Sequence, residues 1–238
     1  MDDRLPGAQY DDFAAEYGDG GPFNALYERP AMLELVGQVA GHTVLDIGCG
    51  SGLLSQALVD RGATVIGLDG SSRMLELARA RLGESVELHH HDLNEPLSWL
   101  PDGSVDLVVA SLVLHYLEHW RPVLAELHRV LRPGGRLVAS THHPFQDFVN
   151  FDRPDYFAVE QLGDQWSASG AFWAVRFWRR PLSVIVEDFV QSGFQLRRLA
   201  EPRPSTLNQL DLEQRQKLMS HPWFLFIVAH AAARGAAT

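Results

Sequence analysis

Val44-Leu45-Asp46-Ile47-Gly48-Cys49-Gly50-Ser51-Gly52 is a short apolar run that ends around an acid and opens into a glycine-rich turn. Leu53, Leu54, Ala57 and Leu58 follow at helical spacing, so the stretch reads as strand, tight loop and helix. Glycines tolerate positive φ and let a ligand come close to the backbone. The helix behind them opens with unpaired N–H groups. A second acid, Asp69, closes the next apolar run, Thr64 to Leu68, near the spacing at which an α/β nucleotide fold sets a ribose-binding carboxylate.

The same alternation extends in both directions. Upstream, Pro30 falls in the first turn of a helix that carries Met32, Leu33, Leu35, Val36 and Val39 and ends near Gly41. Downstream, Ser71 or Ser72 caps a helix with Met74, Leu75, Ala78 and Leu82, stopped at Gly83. Val86 to His89 is a short strand, and Val105 to Ala110 is apolar enough for a buried parallel strand. Pro122 opens a helix, Pro133-Gly134-Gly135 stops it, and Arg136 to Ser140 is a further strand. Ser183 to Gln191 then reads as helix, Gln195 to Leu199 as strand, Leu210 to Met219 as helix and Phe224 to Ala229 as a final strand. Strand–helix alternation implies an α/β fold with a doubly wound parallel sheet. Its ligand lies beyond the carboxyl ends of the strands, where Asp46–Gly52, Asp69, Asp92 and Ser111–His115 collect.

Two segments depart from this pattern. Residues 1–29 hold Tyr10, Phe13, Tyr17, Phe23 and Tyr27 among acids and glycines; they either pack as a helical arm on the core or cover a ligand. Residues 142–182 hold ten of the chain's 23 aromatics, a density that suggests an inserted lid or small antiparallel addition walling a pocket. The alternative is a satellite cluster that only covers the core. Arg179-Arg180-Pro181 reads as a solvated turn in preference to a contact for an acidic substrate. The expected organisation is a single domain over 1–238: an N-terminal helical arm (1–40), a binding core (41–141), the lid insertion (142–182) and the C-terminal part of the sheet (183–234).

Composition narrows the function classes. A chain of 238 residues can bury a substantial core. The net charge of −10, with scattered basic residues, argues against nucleic acid as a partner. No apolar run approaches the roughly 20 residues that span a bilayer, so no membrane partner is expected. Met1-Asp2-Asp3-Arg4 lacks the apolar core of a signal peptide, and a single cysteine excludes an internal disulfide. Both features point to the cytoplasm. His89-His90-His91 is no metal site by pattern, because adjacent strand residues point to opposite faces.

The glycine spacing separates ligands. A dinucleotide fingerprint needs its third glycine at position 53, but Leu53 stands there and the glycine is at 52. Asp46, two residues before the first glycine, opposes a pyrophosphate and suits an ammonium or sulfonium. Several motifs then agree in order: Val44–Gly52; Val65-Ile66-Gly67-Leu68-Asp69-Gly70-Ser71; Met74-Leu75-x-x-Ala78-Arg79; His91-Asp92-Leu93; Val105–Val109 leading to Ser111-Leu112-Val113-Leu114-His115-Tyr116; and Leu127 to Gly135. Together they resemble the class I S-adenosylmethionine (SAM)-dependent methyltransferases of the small-molecule type, strongly over about residues 25–140. The resemblance implies a Rossmann-like sheet of seven strands with the last antiparallel, and SAM as cofactor.

It also implies roles. Asp46 faces the positive methionine end, and Gly48, Cys49, Gly50 and Gly52 form the loop that approaches the cofactor. Asp69 accepts the ribose hydroxyls, with Gly70 and Ser71 beside it. Met74 packs on adenine, Asp92 and the Leu93 N–H meet the adenine amine, and His91 lines that site. Ser111 and Leu112 flank the methionine moiety, and Tyr10 or Tyr17 closes over the cofactor. A base is needed only for an acceptor that is protonated at working pH; histidine titrates near neutrality, and the candidates are His115 and the adjacent His142 and His143, of which His115 and His143 are taken as the catalytic pair. The expected enzyme methylates O or N of a small, apolar or aromatic metabolite, as a monomer or homodimer. The alternatives are a SAM-binding module with a regulatory or non-methyltransfer role, a protein or RNA methyltransferase, and a nicotinamide-dependent oxidoreductase.

Overall fold

The computed structural model describes residues 8–14, 21–168, 171–204 and 210–232. Its strands are β1 (Thr43–Ile47), β2 (Thr64–Asp69), β3 (Val86–His90), β4 (Val105–Ser111), β5 (Leu131–His142), β6 (Glu160–Ala168), β7 (Ala171–Arg179), β8 (Phe194–Ala200) and β9 (Phe224–Ala231). The α-helices of two turns or so and longer are α1 (Arg29–Val36), α2 (Leu53–Asp60), α3 (Ser72–Leu82), α4 (Trp120–Val130), α5 (Pro144–Asn150), α6 (Leu182–Gln191) and α7 (Leu212–Ser220). Seven strands form one sheet in the order β3-β2-β1-β4-β5-β9-β8, and β6 and β7 pair as a separate hairpin. Pairing is parallel from β3 through β5, and β9 runs antiparallel to both β5 and β8. The seven-stranded sheet with its last strand antiparallel is thus as expected. Strand order reverses between β1 and β4, which opens a crevice at their carboxyl ends.

Alternation along β1 decides where its side chains go. Leu45 and Ile47 enter a core with Trp120, Leu124, Leu127, Ile185 and Phe189 from α4 and α6. Val44 enters the core on the opposite face, with Met32, Val36, Leu54, Leu58, Ala78 and Leu82 from α1, α2 and α3. Asp46, two residues on from Val44, is therefore aimed at the α2 face.

Boundaries differ from expectation where local backbone geometry overrides side-chain spacing. α1 stops at Val36 because Gly37 takes φ 69°. α4 starts at Trp120, with Pro122 inside its first turn, where a missing N–H costs nothing. Pro133-Gly134-Gly135 lies within β5: the pairing with β4 jumps from Val105↔Leu131 to Leu107↔Arg136, and residues 132–135 bulge between.

The Arg179-Arg180 pair is a correction, since neither side chain is solvated. Arg179 is 1% exposed and donates to the Glu160 carboxylate and to the carbonyls of Asp155, Tyr156 and Ala158. Arg180 lies 4.4 Å over the Trp120 ring and donates to the Leu117 carbonyl. Guanidinium groups can be buried when their fork of donors is met in this way. Removing one partner of a buried, hydrogen-bonded ion pair costs about 3–5 kcal/mol. Arg179→Ala is expected to lower the urea midpoint accordingly, while Arg197→Ala, on the exposed part of β8, stays within about 0.5 kcal/mol of the parent.

Candidate functional site

The loop after β1 is fastened to the end of β2. Gly48 N and Cys49 N both donate to the Leu68 carbonyl (2.7 and 3.0 Å), and Gly50 N donates to Asp69 Oδ2 (2.8 Å). Gly48 sits at φ 67°, and a Cβ there would collide with Val113. Gly50 also has positive φ, but a Cβ there would meet nothing, so that side of the loop is open. Cys49 is buried and packs against Gly67, and burial pushes its thiol up, so it is a small packing residue.

Asp46 is 1% exposed. Its Oδ2 accepts from Ser55 Oγ on α2 at 2.5 Å, and its Oδ1 has no hydrogen-bond partner among the described residues. Burial pushes its pKa up to about 7; the Ser55 bond opposes that rise, and the charges of Asp69 and Glu28 add to it. Asp69 accepts from Gly50 N and, through Oδ1, from Ser71 N at 2.8 Å. Burial pushes it up to about 6 against those two N–H bonds.

Both acids open on a cavity of about 640 Å³ over the sheet's crevice. Of the residues singled out from sequence, Tyr10, Asp46, Gly48, Cys49, Gly50, Asp69, Gly70, Met74, Leu93, Ser111, Leu112 and His115 line it. Leu112 does so with φ 49°, a strained conformation for a non-glycine residue; its N–H is held by the Ser140 carbonyl and hydroxyl.

Five others are placed apart from the lining, among them Gly52, where a Cβ would collide with Leu82. Ser71 caps α3, accepting from Met74 N and donating to Asp11 Oδ1 at 2.5 Å. His91 bonds the Glu95 carbonyl, and Asp92 Oδ1 accepts from Asn94 N and Nδ2. His143 caps α5, accepting from Phe145 N, and its Nε2 bonds Glu201 at 2.7 Å. Tyr17 lies outside the described residues.

His142, one position before His143, lines the cavity instead. It stacks on His115 with ring centroids 4.1 Å apart. Burial lowers the pKa of both, His142 to about 4. Neither ring nitrogen of His115 has a partner among the described residues.

Sequence reasoning missed further lining residues. Glu28 closes a π-helical turn (Asn24–Glu28) and accepts from Ser111 Oγ (2.8 Å) and Ser140 Oγ (2.5 Å). α5 supplies Asp147 and the hairpin supplies Asp164; Trp166, Trp173 and Phe177, already singled out among the aromatics of residues 142–182, line the cavity too. The 3₁₀ turn Ala8–Asp12 bridges the two sides: Tyr10 Oη meets Tyr116 Oη at 2.5 Å, Gln9 pairs with the Arg176 backbone, and Asp11 reaches Ser71 and Arg73 N. The π turn at Asn24–Glu28, a feature that often marks functional sites, has no sequence signature that could have pointed to Glu28.

The chain is similar in sequence and fold to known methyltransferases. Residues 45–139 match the family described as methyltransferase domain. An uncharacterized protein of Haemophilus influenzae is 28% identical over 225 residues, covering 87% of each chain. The trans-aconitate 2-methyltransferase of an Azoarcus species is 37% identical over 128 residues, 53% of this chain and 47% of that one. The crystal structure of a SAM-dependent methyltransferase from Mesorhizobium loti superposes with a TM-score of 0.69 at 26% identity, covering 90% of this chain and 100% of that one. The chain spans about half the length of the named curated relatives it matches.

SAM fits the residues present on two counts. Asp46 lines the cavity, its buried Oδ1 has no partner among the described residues, and a carboxylate there suits a cation. The loop beside it is bare of side chain where Gly50 meets the open space.

The raised Asp46 has a consequence for stability. The unfolded carboxyl loses its proton near its ordinary 3.8, the folded one only near 7, so the unfolded chain holds fewer protons between these values and stability is lost as pH rises through that window. Asp46→Asn removes the loss. In urea unfolding without ligand, its stability relative to the parent is expected to rise by about 2 kcal/mol from pH 5 to pH 8; a pH-independent difference would contradict the assignment.

Proposed function

From a chain that belongs to the class I SAM-dependent methyltransferases, we propose an enzyme that methylates O or N of a small molecule with an apolar or aromatic body. The observation that carries this is a single cavity joining the glycine loop to a chamber walled by Trp166, Trp173, Phe177 and Tyr116. A chamber of this kind suits a compact apolar ligand with a few polar anchors. The net charge of −10 supports the same reading over nucleic acid, and the single, buried cysteine is consistent with a cytoplasmic enzyme.

When bound, SAM supplies an electrophilic methyl group on a sulfonium centre. The chain's own residues do the rest. Asp46 is assigned to the ammonium of the methionine end. Asp69, whose oxygens retain lone pairs beyond their two N–H bonds, is assigned to the ribose hydroxyls. Met74 and Leu93 offer apolar contact for the adenine, and Ser111 and Leu112 border the methionine portion. His115, neutral through burial, is assigned to hydrogen-bond and orient the acceptor. The main catalytic contribution is alignment of two reactants in a closed space. His143, committed to Glu201 and to the start of α5, is given no such role.

A ligand that binds only the folded state at 100 times its Kd stabilises by about 2.7 kcal/mol. S-adenosylhomocysteine is expected to raise Tm by the corresponding amount. The effect should be largely lost in Asp69→Ala, and NADH should produce no shift. A screen with methyl-labelled SAM should then place label in a small apolar or aromatic acceptor. Label found only in protein or RNA would reverse the assignment, and tight binding with no product across the screen would favour a regulatory role.

A further inference from the structure

We infer that the acceptor is a protonated amine carried on an aromatic or apolar body, bound with its nitrogen against the Asp147 carboxylate. The inference rests on the cavity being a methyl-transfer site and names the acceptor class of that site.

The argument starts from α5. This helix, led by Pro144 and capped by His143, carries Gln146, Asp147 and, at its end, Asn150, and all three line the cavity. Gln146 Nε2 and Asn150 Oδ1 satisfy each other at 2.6 Å, which leaves Asp147. Asp147 is 8% exposed, and its carboxylate accepts no hydrogen bond among the described residues; the nearest basic atom is His142 Nδ1 at 3.8 Å.

Three charged or titratable groups act on Asp147. His142 is neutral, because burial holds its pKa at about 4. Arg179 attracts it from a distance, but that guanidinium is committed to Glu160 and three carbonyls. Asp164 opposes its ionisation. A buried carboxylate facing a cavity without a donor is costly until a cation meets it.

The surroundings favour the same ligand. Asp164 Oδ2 accepts from Trp166 Nε1 at 3.1 Å and sets that ring against Tyr10, centroids 6.2 Å apart. Trp173 stacks on Phe13 at 5.1 Å. Ring faces attract an ammonium and accept the flat body behind it. An anionic acceptor would meet Asp147 and Asp164 instead. A second observation is independent of the acids: His115, 2% exposed, lines the same chamber with both ring nitrogens unpartnered among the described residues.

Asp147 also answers a chemical need. An ammonium nitrogen has no lone pair to accept a methyl group. The proton passes from nitrogen to a carboxylate oxygen of Asp147 and from there to solvent, which frees the pair. Burial pushes Asp147 up to about 7, and a base works best when its pKa lies near the operating pH.

The test uses one ring in three charge states. The parent chain is saturated with S-adenosylhomocysteine and titrated calorimetrically with tryptamine (cation), tryptophol (neutral) and indole-3-acetate (anion). Tryptamine is expected to bind at least ten times tighter than tryptophol, with indole-3-acetate weakest. Its affinity should rise roughly tenfold from pH 6 to pH 8 as Asp147 ionises. Asp147→Asn should abolish both the preference and the pH dependence while S-adenosylhomocysteine binds as before. The charge series on the parent chain stands even if that variant fails to fold. Equal or tighter binding of tryptophol or indole-3-acetate, or no binding by any of the three, overturns the inference. Failure of S-adenosylhomocysteine itself, read first, overturns the underlying site and the inference with it.

Discussion

The hydrogen bond from Ser55 to the buried Asp46 carboxylate fixes the centre of the molecule. A carboxylate at the end of a central parallel strand sits among side chains that offer it nothing, and one short bond cannot offset the loss of water. The residue lines the cavity, while its second oxygen is buried without a partner among the described residues. Everything nearby follows from the same requirement. The chain must turn away at once to leave the opening, and it does so through glycines whose N–H groups are taken up by Leu68 and Asp69. The second acid is buried for the same purpose and held by two backbone donors. With Glu28 on the far wall, three carboxyls converge, each with its pKa raised chiefly by burial.

The wall opposite the sheet is built from pieces far apart in the chain. Residues 8–12 touch α3 through Asp11, the turn after β4 through Tyr10, and the hairpin through Gln9. The hairpin answers with Trp166 and Trp173, which meet Tyr10 and Phe13. Each contact is small, but together they join α3 to the hairpin across one cavity. This gives the aromatics of both irregular segments, whose purpose sequence left open, a common location.

What could be read in advance was whatever is encoded locally. Apolar period two or three to four, a cap at Ser71 and glycines after Asp46 each act over a few residues, so they located the sheet, its crevice and the loop. The rest depends on contacts between distant residues. Glu28 meets Ser140 across 112 positions, and no pattern near Glu28 announces it. The choice between His142 and His143 turns on a single step at the end of β5, where strand gives way to helix and adjacent side chains part. Arg179 and Arg180 look solvent-facing because charge usually is. Their burial is legible only when Glu160, the loop carbonyls and Trp120 are seen around them. The Asx turn in which Asp92 accepts from Asn94 N is, by contrast, encoded by those neighbouring residues themselves.

The position of β9 orders the assembly of the molecule in time. β5 and β8 touch in the sheet only through β9, so a chain emerging from the ribosome carries β8 with no ladder to join until residues 224–231 arrive. Until then the edge of β5 stays open, and such edges invite pairing with other chains. Trp223 and Phe224, at the head of the same strand, also line the cavity. Closure of the sheet and completion of the cavity wall therefore depend on the same strand.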